Sequence, residues 1–152
     1  MGLFLSFPFC TRGARIISMA TIFEMIRDGE IPSVKIYEDD LCFVILDLSP
    51  VNKGHALVIS KVASPTFTEV ENATLHHMID IAKRVDGKMR EKLGADGTNI
   101  MINNGPASGQ EVPHLHIHVI PRYFNDKKTF VFPSKEKYEE GEMQKYGDIL
   151  KL

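Results

Sequence analysis

The sequence predicts an α+β fold with about five strands in one antiparallel sheet, one long helix and one or two short helices. Three observations support this prediction. The connections between the apolar, strand-like segments are mostly too short for helical crossovers, so neighbouring strands should run antiparallel. Residues 72–93 have the periodicity of an amphipathic helix that would cover one face of the sheet. Residues 114–120 alternate histidine with aliphatic side chains, as a strand with two different faces does.

The elements that precede the long helix are predicted from turn residues and short apolar runs. A short helix at 22–27 should end at the Asp28-Gly29 pair. Strands are then predicted at 34–37, 41–46 and 55–60.

The long helix is predicted from one apolar stripe and a glycine that can cap its C-terminus. Gly94 supplies the cap. His76 and His77 fall within the helix, and we expect them to be exposed or at the edge of the stripe, because neither has a second histidine at helical spacing. The stripe consists of Leu75, Met78, Ile79, Ala82, Val85, Met89 and Leu93.

After the helix, the sequence predicts a strand at 99–102, a loop at 103–113 and then the histidine strand, which starts at His114 and ends at Pro121-Arg122. The tail is charged and aromatic, with a possible helix at 134–145. Since one helix covers only one face of such a sheet, the other face and the sheet edges need a ligand or a partner, which favours a homodimer.

Size and charge limit the classes of function. A chain of 152 residues that is 43% hydrophobic is long enough for one domain with a sizeable core. A formal net charge of -2 gives no overall attraction for nucleic acid, so an anionic ligand should be small and held by a local cluster. The two cysteines, Cys10 and Cys42, have no metal-type spacing, and we expect free thiols in a reducing compartment.

The N-terminal segment differs in composition from the rest, which suggests three segments: an extension at 1–18, a domain at 19–123 and an associated tail at 124–152. Residues 1–20 contain no acidic side chain. Three interpretations of the extension remain open: a myristoylation signal with Cys10 as a palmitoylation site, a mitochondrial transit peptide, or a poorly ordered extension upstream of a start at Met19. We expect a cytoplasmic protein, and mitochondrial import or membrane association only through this extension.

The histidine strand carries the strongest functional signal. An extended backbone places His114, His116 and His118 on one face, while the aliphatic residues face a core. Imidazole has the side-chain pKa closest to neutrality, so such a face can supply a nucleophile, an acid and hydrogen-bond donors. Metal binding and a purely structural role are the alternatives. Metal is disfavoured because side chains two apart on a strand are separated by roughly 6.6 Å, whereas all ligands must approach within about 2.1 Å of one ion.

The loop that precedes this strand, at 103–110, is typical of an anion site. Its small residues let the backbone approach a ligand, and its amides can donate hydrogen bonds. An ordinary surface turn is the alternative for the loop taken alone.

The segment Gly109-Gln110-Glu111-Val112-Pro113-His114-Leu115-His116-Ile117-His118-Val119-Ile120-Pro121-Arg122 resembles the signature of the histidine triad (HIT) superfamily. Segments at 22–23, 29–33, 37–40, 47–50 and 53–59 are similar to the same family in the same order. The resemblance covers about residues 21–122. It is closest to the Hint and general HIT branch, and the Pro121-Arg122 ending is also similar to the Fhit branch.

The resemblance implies a homodimeric nucleotide hydrolase or transferase. The expected reaction is cleavage of a purine nucleoside 5'-phosphoramidate through a nucleotidyl-histidine intermediate. Cleavage of dinucleoside polyphosphates, as in the Fhit branch, is the enzymatic alternative. A nucleotide-binding regulatory module with vestigial catalysis is the alternative from another class.

The resemblance also implies roles for individual residues. His116 would be the nucleophile, with His118 and the backbone of Gly109, Gln110 and Glu111 at the α-phosphate. His55 and His114 would orient the triad, Asp47 would bind the ribose, and Asn103 would lie beside phosphate and ribose. Ile22, Phe23 and Leu48 would hold the base. Outside the family context, Asp47 could simply cap a turn, His55 could be a satisfied core histidine, and Phe23 could be ordinary core.

The sequence departs from the family pattern in two ways. Glu111 stands where Hint proteins carry a serine that helps to protonate the leaving group, so the resemblance leaves the choice of leaving group open. Thr21 and Glu24 stand where some bacterial relatives have a zinc-binding Cys-x-x-Cys pair. We therefore expect no structural zinc. The reaction that the resemblance implies requires no catalytic metal and no cofactor.

Overall fold

The computed structural model describes residues 20–129 and 134–152, so the predictions for the extension at 1–18 lie outside the described residues. The strands are β1 (Lys35–Glu38), β2 (Cys42–Leu46), β3 (Ala56–Ser60), β4 (Gly97–Met101) and β5 (His116–Arg122). These five antiparallel strands form one open sheet in the order β1-β2-β3-β5-β4, as the α+β prediction requires.

Three α-helices accompany the sheet in the described part of the chain: α1 (Ile22–Arg27), α2 (Asn72–Leu93) and α3 (Glu142–Ile149), with a short 3-10 turn at Pro106–Ser108. The predicted bounds of α1 and α2 are confirmed. Gly94 ends α2 in the left-handed conformation, with φ 64°, as expected of a C-terminal glycine. None of the helices described here is long and apolar enough to cross a membrane.

Three predicted elements have wrong bounds, whereas the bounds of β1, β2 and β3 differ from the prediction by one residue. The tail helix was expected at 134–145, but Gly141 has a φ of 76°, which a right-handed helix cannot contain, so α3 starts after it. Strand β4 begins and ends earlier than the expected 99–102. Strand β5 begins at His116 rather than His114, because the His114 N–H donates to the Val112 carbonyl, 2.8 Å away, in a local bend.

The two faces of the sheet belong to different clusters. On one face, Leu115, Ile117 and Val119 pack with the apolar stripe of α2, which confirms the predicted core face of the histidine segment. On the other face, α1 packs over a smaller cluster that contains Phe23, Ile26, Phe43, Ile45, Leu57 and Ile59. This second face is only partly covered, and the side chains of His116 and His118 lie on it.

The carboxylate of Asp39 connects the β1–β2 hairpin to α2. One of its oxygens accepts hydrogen bonds from the Leu41 and Cys42 N–H groups, and the other from the Tyr37 hydroxyl and the His77 ring. Burial alone would raise the pKa of Asp39, but these donors outweigh it and hold the pKa well below its usual range.

We predict that Asp39→Ala lowers the free energy of unfolding by about 3 kcal/mol, because several donors lose a charged acceptor at once. Asp40→Ala is the matched control, since the neighbouring Asp40 is exposed, and it should change the free energy by less than about 0.5 kcal/mol. Urea denaturation of both variants measures the difference. Equal effects would show that the hairpin connection contributes nothing to stability.

Candidate active site

A cavity of about 420 Å³ opens on the α1 side of the sheet. It lies between α1, the end of β2 and the loop that precedes β5. Two histidines, His116 and His118, and two acids, Asp47 and Glu111, line it. None of the described residues that line it is lysine or arginine. The other lining residues are Ile22, Phe23, Ile26, Pro32, Ser33, Ile45, Leu46, Leu48, Ser49, Leu57, Asn103, Gly109 and Val112.

Pairing with β3 fixes the two cavity histidines. His116 lies opposite Ile59, and His118 lies opposite Leu57. The edge of the Phe23 ring packs on His116, with 5.0 Å between ring centroids. The rings of His116 and His118 are themselves 4.9 Å apart, at an angle of 63°. The sheet and α1 together therefore leave these imidazoles little freedom to rotate.

The hydrogen bond of His116 determines which ring nitrogen is free. Its Nδ1 lies 2.7 Å from the carbonyl oxygen of His114. Because a carbonyl oxygen can only accept, Nδ1 must carry the proton. The neutral ring then presents an unprotonated Nε2, whose lone pair is available for reaction.

Burial keeps both cavity histidines neutral near pH 7. It lowers the pKa of His116 and outweighs the opposing effects of the His114 carbonyl and the carboxylates of Asp47 and Glu111. It also lowers the pKa of His118 to about 4, and the neighbouring His116 and His55 add to the effect. A neutral imidazole is the form that can act as a nucleophile.

His55 connects His118 to the loop after β2. Its Nε2 lies 3.0 Å from Nδ1 of His118, and its Nδ1 accepts from the Val51 N–H at 3.4 Å. In the tautomer in which Nδ1 accepts from Val51, His55 carries its proton on Nε2 and donates it to His118. In that tautomer His118 carries its own proton on Nε2, the nitrogen left for a ligand.

Asp47 takes part in two arrangements. Its Oδ1 accepts from the Ser49 N–H at 2.8 Å, which is the turn-capping role that the residue type allows on its own. Its Oδ2 lies 3.4 Å from Nδ1 of His55. Because the side chain also lines the cavity, capping the turn positions this carboxylate for a ligand.

His114 supports the site from outside the cavity. It is fully buried, its Nε2 donates to the Ser60 carbonyl at 2.7 Å, and its Nδ1 accepts from the Thr21 hydroxyl at 2.9 Å. Thr21 also forms the capping box of α1 with Glu24. Thr21 was not predicted as a site residue, although its Thr-x-x-Glu pattern is typical of a capping box.

In the loop at 103–110, which was expected to bind phosphate, some residues line the cavity and others form hydrogen bonds that hold the loop itself. Asn103, Gly109 and Glu111 line the cavity. The side chain of Gln110 is used elsewhere: its Oε1 accepts from the Gly105 N–H, and its Nε2 donates to the Pro65 carbonyl, each at 2.7 Å.

Two backbone N–H groups of this loop also donate hydrogen bonds within the loop. That of Gly109 donates to the Pro106 carbonyl at 3.0 Å, and that of Gln110 to the Gly105 carbonyl at 3.4 Å. The side chain and the backbone N–H of Gln110 therefore both stabilise the conformation of the loop.

The three residues expected at the base lie on the rim and floor of the cavity. Phe23 is buried, Ile22 is partly exposed and Leu48 is 83% exposed. Pro32 and Ser33 also line this side. Pro32 and Ser33 were not predicted as site residues, because a Pro-Ser pair in a sequence indicates only a turn.

Two groups of three side chains within the described residues could hold a metal ion. They are Asp39 with Cys42 and His77, and Asp47 with His55 and His118. In the first group, burial raises the pKa of the Cys42 thiol to about 12, so its thiolate is disfavoured. In the second, the two rings are hydrogen-bonded to each other, and a metal would have to replace that bond.

Comparison with known proteins identifies the family. The family model described as HIT domain matches residues 28–125. The chain is 39% identical to adenylylsulfatase HINT3 of Arabidopsis thaliana, over 69% of this chain and 53% of that protein. It is 36% identical to adenosine 5'-monophosphoramidase hnt1 of Schizosaccharomyces pombe, over 68% of this chain and 75% of that protein. A crystal structure of a HIT family member from Bacillus subtilis aligns with TM-score 0.77 and 31% identity, over 86% of this chain and 94% of that one.

We predict that the free energy of unfolding decreases as the pH falls from about 6.5 to about 4. The pKa values of His55, His114, His116 and His118 are all lowered in the folded protein. The unfolded chain therefore binds protons first, and stability is retained above pH 6.5 and lost below it. NMR titration of the imidazoles, combined with denaturation at each pH, measures both quantities. Histidines that titrate near 6.5 in the folded protein would contradict the prediction.

Proposed function

The chain belongs to the histidine triad (HIT) family, and we propose that it hydrolyses purine nucleoside 5'-phosphoramidates through a nucleotidyl-histidine formed at His116. The observation that carries this proposal is the arrangement of His116. Its ring is neutral, its Nδ1 proton is held by the His114 carbonyl, and its side chain lines a cavity. The proposed scheme requires no metal and no cofactor.

The reaction would proceed in two displacements at phosphorus. In the first, Nε2 of His116 attacks the α-phosphorus, the P–N bond breaks, and the amine leaves with the bonding electrons and takes up a proton from solvent. In the second, water attacks the same phosphorus and gives up a proton to solvent, the bond to His116 breaks with its electrons returning to Nε2, and the nucleoside monophosphate is released. The covalent intermediate divides one difficult displacement into two easier ones.

The other residues of the cavity would bind and orient the nucleotide. The Nε2–H of His118 would donate to a non-bridging oxygen, where negative charge increases in the transition state. Asp47 would accept from the ribose hydroxyls, and Ile22, Phe23 and Leu48 would hold the base. Asn103, Gly109 and Glu111 would lie along the phosphate.

The charge of the cavity favours an amine as the leaving group. Its described lining offers Asp47 and Glu111 but no lysine or arginine. A departing nucleotide or sulfate is anionic and would meet carboxylates without a fixed cation to stabilise it. An amine becomes cationic on protonation and would be attracted by Glu111, the carboxylate that the ribose does not occupy. We therefore favour phosphoramidates over dinucleoside polyphosphates.

We predict that His116→Asn lowers kcat/KM for adenosine 5'-phosphoramidate by about 10³-fold or more, because it removes the nucleophile. His76→Asn is the control, since His76 lies exposed on α2, outside the residues that line the cavity, and it should retain activity. Both are assayed with EDTA present. Loss of wild-type turnover in EDTA would contradict the metal-free scheme. Retained activity in His116→Asn would show that His116 is not the nucleophile.

We predict that Glu111→Gln raises the ratio of kcat/KM for diadenosine tetraphosphate to that for adenosine 5'-phosphoramidate by about tenfold, equivalent to ~1.4 kcal/mol. Removing the negative charge should relieve repulsion of an anionic leaving group. Glu140→Gln, at an exposed carboxylate of the tail, is the matched control. An unchanged ratio in Glu111→Gln would mean that Glu111 does not select the leaving group.

We also propose a homodimer formed along β4. This strand lies at the edge of the sheet, where its outer hydrogen-bonding groups have no strand partner within the described chain. Ile100 on this strand is 50% exposed, and Ile79 of α2 is 45% exposed. A second copy could pair with β4 and cover both.

We predict that Ile100→Glu converts the dimer to monomer, because pairing would place two carboxylates in an apolar contact. Sedimentation equilibrium measures the mass. Ile36→Glu, at an equally exposed isoleucine on the opposite edge strand β1, is the control and should remain dimeric. A monomeric wild type would contradict the proposal.

A further inference from the structure

A groove of about 750 Å³ lies on the α2 side of the sheet, away from His116 and His118. It lies between the C-terminal half of α2 and the edge strand β1, where Ile36 and Tyr37 line it. The lining is mostly apolar and includes Ile36, Leu46, Val85, Met89 and Leu93. An apolar surface of this size on a small domain usually has an occupant.

The tail contains an amphipathic helix that has no buried residue. Met143 and Tyr146 of α3 and Leu150, which directly follows the helix, stand at helical spacing on one side and are 65%, 47% and 72% exposed. The opposite side is polar, and the Gln144 side chain donates a hydrogen bond to the Asp148 carboxylate on it at 3.1 Å. An eight-residue helix in water is not stable by itself, so its apolar side needs a surface to cover.

We propose that α3 docks its apolar side into this groove of the same chain, with Met143, Tyr146 and Leu150 against the apolar floor. Docking would cover both the apolar lining of the groove and the apolar side of α3.

The path of the chain makes this docking accessible. The chain leaves the domain at one end of the groove, where the Tyr123 hydroxyl donates to the carbonyl of the lining residue Leu93 at 3.5 Å. From Lys128 to the start of α3 the chain can span up to about 45 Å. The part of α2 that lines the groove, residues 81–93, is only about 18 Å long, and α3 about 12 Å. The connection is therefore long enough to bring α3 onto the groove.

The charges of the two surfaces are complementary. Arg84, Lys88 and Lys92 lie four residues apart along the groove, accompanied by the single acid Glu91. The start of α3 is acidic, with Glu139, Glu140 and Glu142. Docking would place this acidic group beside the row of cations, which also sets the direction in which the helix lies.

Docking would also support the loop that carries Asp47. Leu46 and Gly54 line the groove, and they directly precede and follow residues 47–53. Contact with α3 should therefore reduce opening of this loop, whatever reaction the protein performs.

Hydrogen exchange of the full-length chain tests the contact. We expect the amides of 142–149 to be protected by at least about tenfold over the unstructured rate in the wild type, and to lose this protection in Tyr146→Ser and in Arg84→Glu/Lys88→Glu. Exchange at 47–53 should increase in the same variants. Lys145→Ser, on the polar side of α3, is the matched control and should leave protection unchanged. Unprotected amides in the wild type, or equal protection in all variants, would overturn the proposal.

Disulfide formation distinguishes docking within one chain from docking on a second copy. In a Cys10→Ser background, Lys88→Cys with Gly147→Cys should form a bond within one chain, because Gly147 borders the apolar side of α3. Lys88→Cys with Gln144→Cys, on the polar side, should not. Non-reducing electrophoresis separates the products. A bond between two chains, or equal yields from the two pairs, would contradict docking of α3 on its own groove.

Discussion

The hydrogen bond from Nδ1 of His116 to the His114 carbonyl is the constraint on which the site depends. It requires that the chain bend just before β5, since a regular strand would direct that carbonyl into the ladder rather than toward the ring two residues later. The bend is held by the His114 N–H on the Val112 carbonyl and by the ring of His114 between Thr21 and Ser60. Helix α1, the bend and β3 are thus joined at one buried imidazole.

Burial of the histidine side chains lowers stability at acidic pH and also keeps the nucleophile unprotonated. Removing imidazoles from water disfavours their charged forms, so the fold loses stability when the pH falls toward the histidine pKa values. The same desolvation keeps the lone pair on Nε2 of His116 free near neutral pH. No buried side-chain nitrogen or oxygen in the described residues lacks a hydrogen-bond partner, so the cluster avoids the larger cost of unsatisfied polar groups.

Much of this arrangement could be predicted from the sequence, because its determinants are local. The period of α2, its glycine cap and the alternation of Ile117 and Val119 with histidine specify elements without reference to the rest of the chain. The role of His114 could not be obtained in this way. Alternation placed it on the same side as His116, and Phe23 packs against both rings, but its hydrogen-bond partner Thr21 is about ninety residues away in sequence and no local pattern indicates it. Likewise, the composition of the loop suggested that Gln110 faces a ligand, but Pro65, from a distant loop, holds its side chain.

The central claim is that His116 itself bonds to phosphorus, and a direct observation of that bond tests it better than any rate. The protein would be mixed with adenosine 5'-phosphoramidate, quenched within the first turnover in mild base, which preserves phosphorus–nitrogen bonds to histidine, and analysed by intact mass and peptide mapping. The account predicts an added mass of one adenylyl group, located on His116 and missing from His116→Asn. Turnover without an adduct, an adduct on another residue, or neither turnover nor adduct would contradict it.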